Sequence, residues 1–371
     1  MATVSTPQLS LVGRRPSVSA APAQNRFWFL EQLERHNPYQ NQLVVLELRG
    51  PVEPAEIERR VNAAVQRHEI LRTCFVAVDG QPHQLVRPGL TTPLHQVDLT
   101  GPDAAEREAA LLRAEAHHAF DLENGPLLRP TLVRLAEHEH LLVLGLHSMV
   151  CDPGSVTQLL EAVLAPDADG GPVPQYGALT EALHHWLRSA QARGQVEAWR
   201  SVLEGAPPQL TLPTDRLRPA VQTYAGATQR VRLPSALAEA LRALAQATGT
   251  SLFEVLLAAF QVVLHRHASQ DTLCVGTPSS LRGEAGRGAL GWFGNMLVLR
   301  GDLRGDPSFP ELLTRTRAAH QHAREHAALP FEHLVEALPH AQRAVLDLAR
   351  QQAQRLGDAG RQHPRSRGPG L

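Results

Sequence analysis

Apolar residues recur at two periods along this chain, and the switches between them divide it into elements. Phe27, Leu30 and Leu33, with Trp28 beside them, fall at helical spacing after Pro22. Residues 41–49 (NQLVVLELR) read as a strand, and 54–68 (PAEIERRVNAAVQRH) as an amphipathic helix with Pro54 and Glu56 in its first turn. A strand at 73–78 turns through Asp79-Gly80 into 84–86. A helix over 104–117 precedes two strands, 127–135 and 139–146, and a helix over 155–164 follows a Pro-Gly turn. After a Pro/Gly-rich loop at 166–175, the stretch 176–203 is helical and 206–219 is a Pro-rich break. The order then restarts with a strand at 228–233, helices at 235–247 and 251–267, strands at 272–277 and 297–303, and helices opening near Pro307 and Pro330.

Helices alternating with paired strands, in an order that occurs twice, predict an α+β fold of two similar lobes. The expected boundaries are a flexible leader 1–17, a first lobe 18–205, a second lobe 206–343 and a tail 344–371. The tail loses apolar periodicity to Arg, Gln, Gly and Pro, and disorder is expected there. At 371 residues the chain is long enough for two cores.

Charge narrows the function. The 36 Lys+Arg positions are all arginine and face 37 Asp+Glu, for a formal net charge of −1. Nucleic-acid binding needs a clustered basic excess, and this balance argues against it. With no lysine, Schiff-base chemistry on a lysine is excluded. Cys74, Cys151 and Cys274 are far apart and form no C-x-x-C pair. Together with the lack of a basic-then-apolar leader, they predict a reducing, cytoplasmic setting. No apolar run approaches the ~18 residues of a membrane span, so no membrane partner is expected.

Eight segments in order then resemble one family. They are 21–30 (APAQNRFWFL), 67–75 (RHEILRTCF), 120–129 (FDLENGPLLR), Tyr176 with Trp186, 212–216 (LPTDR), 275–282 (VGTPSSLR), 290–295 (LGWFGN) and 329–332 (LPFE). The chain is identified on these as similar to the condensation domains of nonribosomal peptide synthetases. The resemblance implies two chloramphenicol-acetyltransferase-like lobes. Family members continue past the P-F-E segment through closing strands and a latch, so it also implies an incomplete second lobe.

The family's H-H-x-x-x-D-G motif places its second histidine where two substrate tunnels meet. Here the stretch is His147-Ser148-Met149-Val150-Cys151-Asp152-Pro153-Gly154-Ser155. With Asp152 on the motif aspartate, His147 takes the first histidine position, Ser148 the catalytic second, and Pro153 a glycine position. The resemblance assigns the catalytic set to Ser148, His147 and Asn295, the last as a group that could polarise a carbonyl. It assigns structural roles to Asp152, Arg282 and Gly154, with an ion pair between Asp152 and Arg282.

An imidazole exchanges protons near neutral pH, whereas a serine hydroxyl without a base takes none. General-base assistance is worth about 10²–10⁴ in rate. The resemblance therefore implies impaired chemistry, with docking of carrier proteins or a partner enzyme as the surviving role. Two alternatives are a working amide-forming acyltransferase that relies on positioning, and a decayed fragment of a synthetase. No cofactor is expected on the chain itself. Substrates would arrive on the phosphopantetheine arms of peptidyl or aminoacyl carrier proteins, with adenylation domains as further partners.

Other candidates have plainer readings. Ser148 as a nucleophile lacks a base, since strand alternation turns His147 away from it. Cys151 reads as a small buried thiol. His184-His185 are adjacent and diverge on a helix. Phe27, Trp28 and Phe29 read as core. His320, His322 and His326 include a pair four apart, a metal half-site for which no carboxylate or third ligand is expected at useful spacing, so no metal is expected.

Overall fold

The computed structural model describes residues 17–34, 38–164, 171–207, 209–216, 227 and 229–338. The expected tail and all but the last residue of the expected leader lie outside the described residues. Packing divides the chain into two units, 1–184 with 284–292, and 185–283 with 293–371. The division falls at 184/185, not at 205/206, because Val196, Trp199 and Leu203 belong to the core of the second unit.

The first unit is built on a four-stranded sheet of order β2-β7-β6-β5, from β2 (Asn41–Arg49), β5 (His95–Asp98), β6 (Leu128–Ala136) and β7 (Glu139–His147). Strand β7 pairs antiparallel with both neighbours, and its Leu141, Leu142, Val143, Leu144 and Leu146 are all buried. A central strand covered on both faces needs an unbroken apolar run, as LLVLGL supplies. Strand β5, which the apolar pattern does not predict, pairs parallel with β6. A smaller sheet orders β1 (Val18–Ser19), β4 (Gln81–Val86) and β3 (Thr73–Val78) as β1-β4-β3. Around these sheets lie helices α1 (Pro22–Leu33), α2 (Pro54–Arg67), α3 (Ala104–Ala116) and α4 (Pro153–Leu164), with α2 packed on α4. In α1, Phe27 is buried, Trp28 is half-buried and Phe29 is exposed, so the core expectation fails at Phe29. At 100° per residue, positions 27 and 29 face opposite sides of the helix.

The expected helix over 176–203 is two helices, α5 (Tyr176–Leu187) and α6 (Ala190–Leu203). The Ser189 side chain accepts from Ala192 N and starts α6 anew. In the second unit, α7 (Ser235–Ala247) and α8 (Leu252–Ala268) precede the antiparallel pair β8 (Thr272–Ser280) and β9 (Gly294–Asp302). Helix α9 (Phe309–Glu325) lies on β9 and α8, and α10 (Phe331–Ala337) follows. Of residues 228–233, expected as a strand, position 228 lies outside the described residues and 229–233 are irregular, with Val231 76% and Leu233 47% exposed. An alternating pattern becomes a strand only where a neighbour supplies backbone partners, and this one pairs with none among the described residues. No single described helix is long and apolar enough to cross a membrane.

Candidate functional site

Strand β7 carries the chain to His147, which lies opposite Asn41 of β2, and the motif loop begins at the next residue. Ser148 is wholly buried. Its hydroxyl donates to the Gln40 carbonyl at 2.7 Å and accepts from Gln42 Nε2 at 3.2 Å. Its backbone N–H also donates to Gln40 O, at 2.8 Å. Neither a carbonyl nor an amide can take the hydroxyl proton, so this network holds the side chain without activating it.

Two more glutamine contacts fix the loop. Gln42 Nε2 donates to Cys151 O at 2.6 Å, and Gln24 Nε2 donates to Met149 O at 2.7 Å while its Oε1 accepts from Ala21 N. Gln24 stood in the segment 21–30 that carried the resemblance, but Gln40 and Gln42 gave no signal of their own. The His147 Nδ1 accepts from Met149 N at 3.1 Å, which places the ring proton on Nε2. Its ring meets the edge of Phe120 at 6.1 Å.

Asp152 starts α4. Its Oδ1 accepts from Ser155 N at 2.6 Å, the N-cap bond that occupies one of the unpaired donors of a first turn. Pro153 is the first helical residue. That position has no intrahelical acceptor to serve and suits proline's fixed φ. Gly154, the second helical residue, is exposed, and its φ is not positive.

Residues 284–292, though they follow β8 in sequence, pack within this first unit. The Ser155 hydroxyl donates to Gly291 O at 2.7 Å and accepts from Gly291 N at 3.0 Å, while Asp152 N donates to Gly291 O at 3.1 Å. The Tyr176 hydroxyl donates to Trp292 O at 2.6 Å, and the Trp292 ring stands edge-on to Phe27 at 4.7 Å. Gly291 has φ +151°, and a Cβ there would overlap the Tyr176 ring. Only glycine lets this segment approach so closely.

Arg282 belongs to the second unit, where its guanidinium lies 4.1 Å from the Phe293 ring centroid. Asn295 does not present a carbonyl-polarising N–H. Its Nδ2 donates to Ala327 O and Leu329 O, both at 3.0 Å, and its Oδ1 accepts from Phe331 N at 2.8 Å. With both amide hydrogens committed, Asn295 clamps the turn between α9 and α10.

Neither Cys74 nor Cys274 is a nucleophile of lowered pKa. Burial raises Cys74 above its ordinary value and pushes Cys274 up to about 11. Cys151 is buried and its Sγ donates to Asp152 O at 3.4 Å. On α9, His320 Nδ1 lies 2.9 Å from Glu254 Oε1, while the ligand atoms of His322, Glu325 and His326 all lie within 4.8 Å of one another. The expectation that no carboxylate stands at useful spacing is therefore corrected. Three residues after His322, Glu325 is next to it on the helix surface, as His326 is at four. Burial, then the neighbouring His326, holds the His322 imidazole below its ordinary pKa.

Together the sheet, the histidine-led loop at the end of its central strand and the paired helices form the α+β fold of chloramphenicol-acetyltransferase type. Residues 15–349 match the Condensation domain family, and the chain belongs to it. It is 39% identical over 344 residues to a linear gramicidin synthase of Brevibacillus parabrevis, covering 89% of this chain and 7% of that one. It is 38% identical over 342 residues to phosphinothricin tripeptide synthetase PhsC of Streptomyces viridochromogenes, covering 88% of this chain and 32% of that one. The chain thus spans a minor part of these curated relatives. Among solved structures, the X-domain from teicoplanin biosynthesis matches with a TM-score of 0.80 and 27% identity, over 91% of this chain and 77% of that one. The first condensation domain of the CDA synthetase matches in fold, with a TM-score of 0.72 and 22% identity over 88% and 78% of the two chains.

Proposed function

We propose that this chain is a condensation-type domain of nonribosomal peptide biosynthesis whose amide-forming chemistry is impaired and whose working role is to dock carrier proteins or a partner enzyme. One observation carries the reading. The side chain at the catalytic histidine position is a buried serine whose hydroxyl is engaged by Gln40 and Gln42. Likeness to the teicoplanin X-domain supports it, since that domain was solved in complex with OxyB and matches this chain with a TM-score of 0.79. The relatives' names, a gramicidin synthase and a tripeptide synthetase, support carrier-bound aminoacyl thioesters as the substrate class.

The test uses donor and acceptor carrier proteins loaded with aminoacyl-phosphopantetheine, measuring carrier binding and amide formation in parallel. Wild type should bind carrier and form little amide. Ser148→His should raise the amide rate by up to about 10²–10⁴ if the missing base is the whole defect. Wild-type turnover equal to that of Ser148→His would establish the working acyltransferase instead. A folded chain that binds no carrier and no partner enzyme would remove the docking role.

A further inference from the structure

We propose that His322, Glu325 and His326 form a binding site for one divalent transition-metal ion, with Zn²⁺ the best match to two imidazoles and a carboxylate. The spacing i, i+3, i+4 brings all three side chains to one side of the last turn of α9 and its C-cap. Their ligand atoms already lie within 4.8 Å of one another. In a tetrahedral site with ~2.0–2.2 Å bonds, neighbouring ligand atoms are about 3.4 Å apart, so small side-chain rotations close the set. Three ligands from one helix end leave a fourth position for water or an added ligand.

The surroundings are organised around this arrangement. The two imidazoles stack at 4.3 Å with 30° between their planes. The His326 Nδ1 bonds the His322 carbonyl at 2.9 Å, which puts its proton on Nδ1 and leaves the Nε2 lone pair for a metal. A second nitrogen anchored on a backbone carbonyl is how ligating histidines are usually oriented. Gln321 Nε2 donates to Glu325 Oε1 at 3.1 Å and steadies the carboxylate. The backbone beneath is fixed as well, since Trp199 Nε1 donates to His326 O at 3.2 Å and Asn295 holds the carbonyls of Ala327 and Leu329. The Trp199 ring stands edge-on to His322 at 6.4 Å. His322 Nε2 is buried with no hydrogen-bond partner among the described residues. The site also lies at the C-terminal end of a 17-residue helix, where the aligned peptide dipoles favour a cation.

The experiment is a titration of the untagged, chelator-treated chain with Co²⁺, followed by visible absorption, and then displacement by Zn²⁺. The expected result is one equivalent bound per chain, with the bands of an N/O-ligated Co²⁺ that Zn²⁺ abolishes. His326→Ala and His322→Ala should remove the bands, and Glu325→Gln should weaken binding by roughly tenfold. His320→Ala, whose imidazole is engaged with Glu254, should bind as wild type does. Should either histidine variant fold poorly by circular dichroism, the exposed Glu325→Gln still decides the matter. Absence of one-to-one binding, or wild-type affinity in Glu325→Gln and the folded histidine variants, overturns the site.

Discussion

A hydroxyl that donates to one backbone carbonyl and accepts from one amide has its hydrogen-bonding capacity largely filled, and Ser148 is in that state. An imidazole in its place must displace the Gln42 amide and find room beside Gln40, so Ser148→His combined with Gln42→Ala should outperform Ser148→His alone in amide rate. His68 poses a different residue-scale question. It closes α2, is 4% exposed, and its pKa is lowered to about 4, first by burial and then by the Arg67 charge. Its Nδ1 has no hydrogen-bond partner among the described residues. A folded pKa below the unfolded 6.5 means that the unfolded chain binds the extra proton first. The neutral imidazole's contribution is therefore whole above about 6.5 and is lost as pH falls from there to about 4, by up to about 1.4 kcal/mol per pH unit. Denaturant unfolding at steps across this window should show that decline, and His68→Gln should flatten it.

Element-scale consequences centre on the start of α4 and the segment stapled to it. Pro153 fits the first helical position, so Pro153→Gly should cost about 1 kcal/mol by freeing the unfolded backbone, and should leave amide formation unchanged. A rate gain on that substitution would show that the loop needs the N–H which proline lacks. Gly291 is less tolerant. Gly291→Ala sets a methyl into the Tyr176 ring and should destabilise the first unit by several kcal/mol, beyond the 1–3 kcal/mol of ordinary overpacking. Tyr176→Ala should recover part of that loss in the double variant, with the Trp292 carbonyl then lacking the tyrosine hydroxyl. Chemical denaturation of the four proteins measures the coupling.

For the whole molecule, helix α8 shows one face to water. Phe253, Leu256, Phe260 and Val263, at i, i+3, i+7 and i+10, are 41–51% exposed. A contiguous apolar stripe of this kind binds apolar dyes and lowers solubility. Replacing Phe260 with Glu and Val263 with Arg should reduce dye fluorescence and raise the concentration limit, while the stability stays within ~0.5 kcal/mol of wild type. A large loss of stability would instead mean that the stripe is packed in the folded chain.

Features encoded within a turn or two of chain were legible from sequence. The periodicity of 54–68 gave α2, the unbroken LLVLGL gave the buried central strand, and the motif order gave the family with its altered histidine position. Glu325 was equally legible, since its spacing from His322 and His326 is local. Other features depend on what arrives from far along the chain. Gln42 reaches Ser148 across 106 positions and Ser155 meets Gly291 across 136, because sheet register and glycine's close approach bring them together. Asn295 lies on an aromatic-rich segment that suggested chemistry, yet the turn it packs against fixes its amide as a clamp. The alternating pattern of 229–233 never becomes a strand, because a strand exists only in its pairing. Sequence determined which segments could be helix or strand and which family they compose. Tertiary structure decided which polar side chains are already occupied, and hence that the Ser148 hydroxyl is held rather than activated.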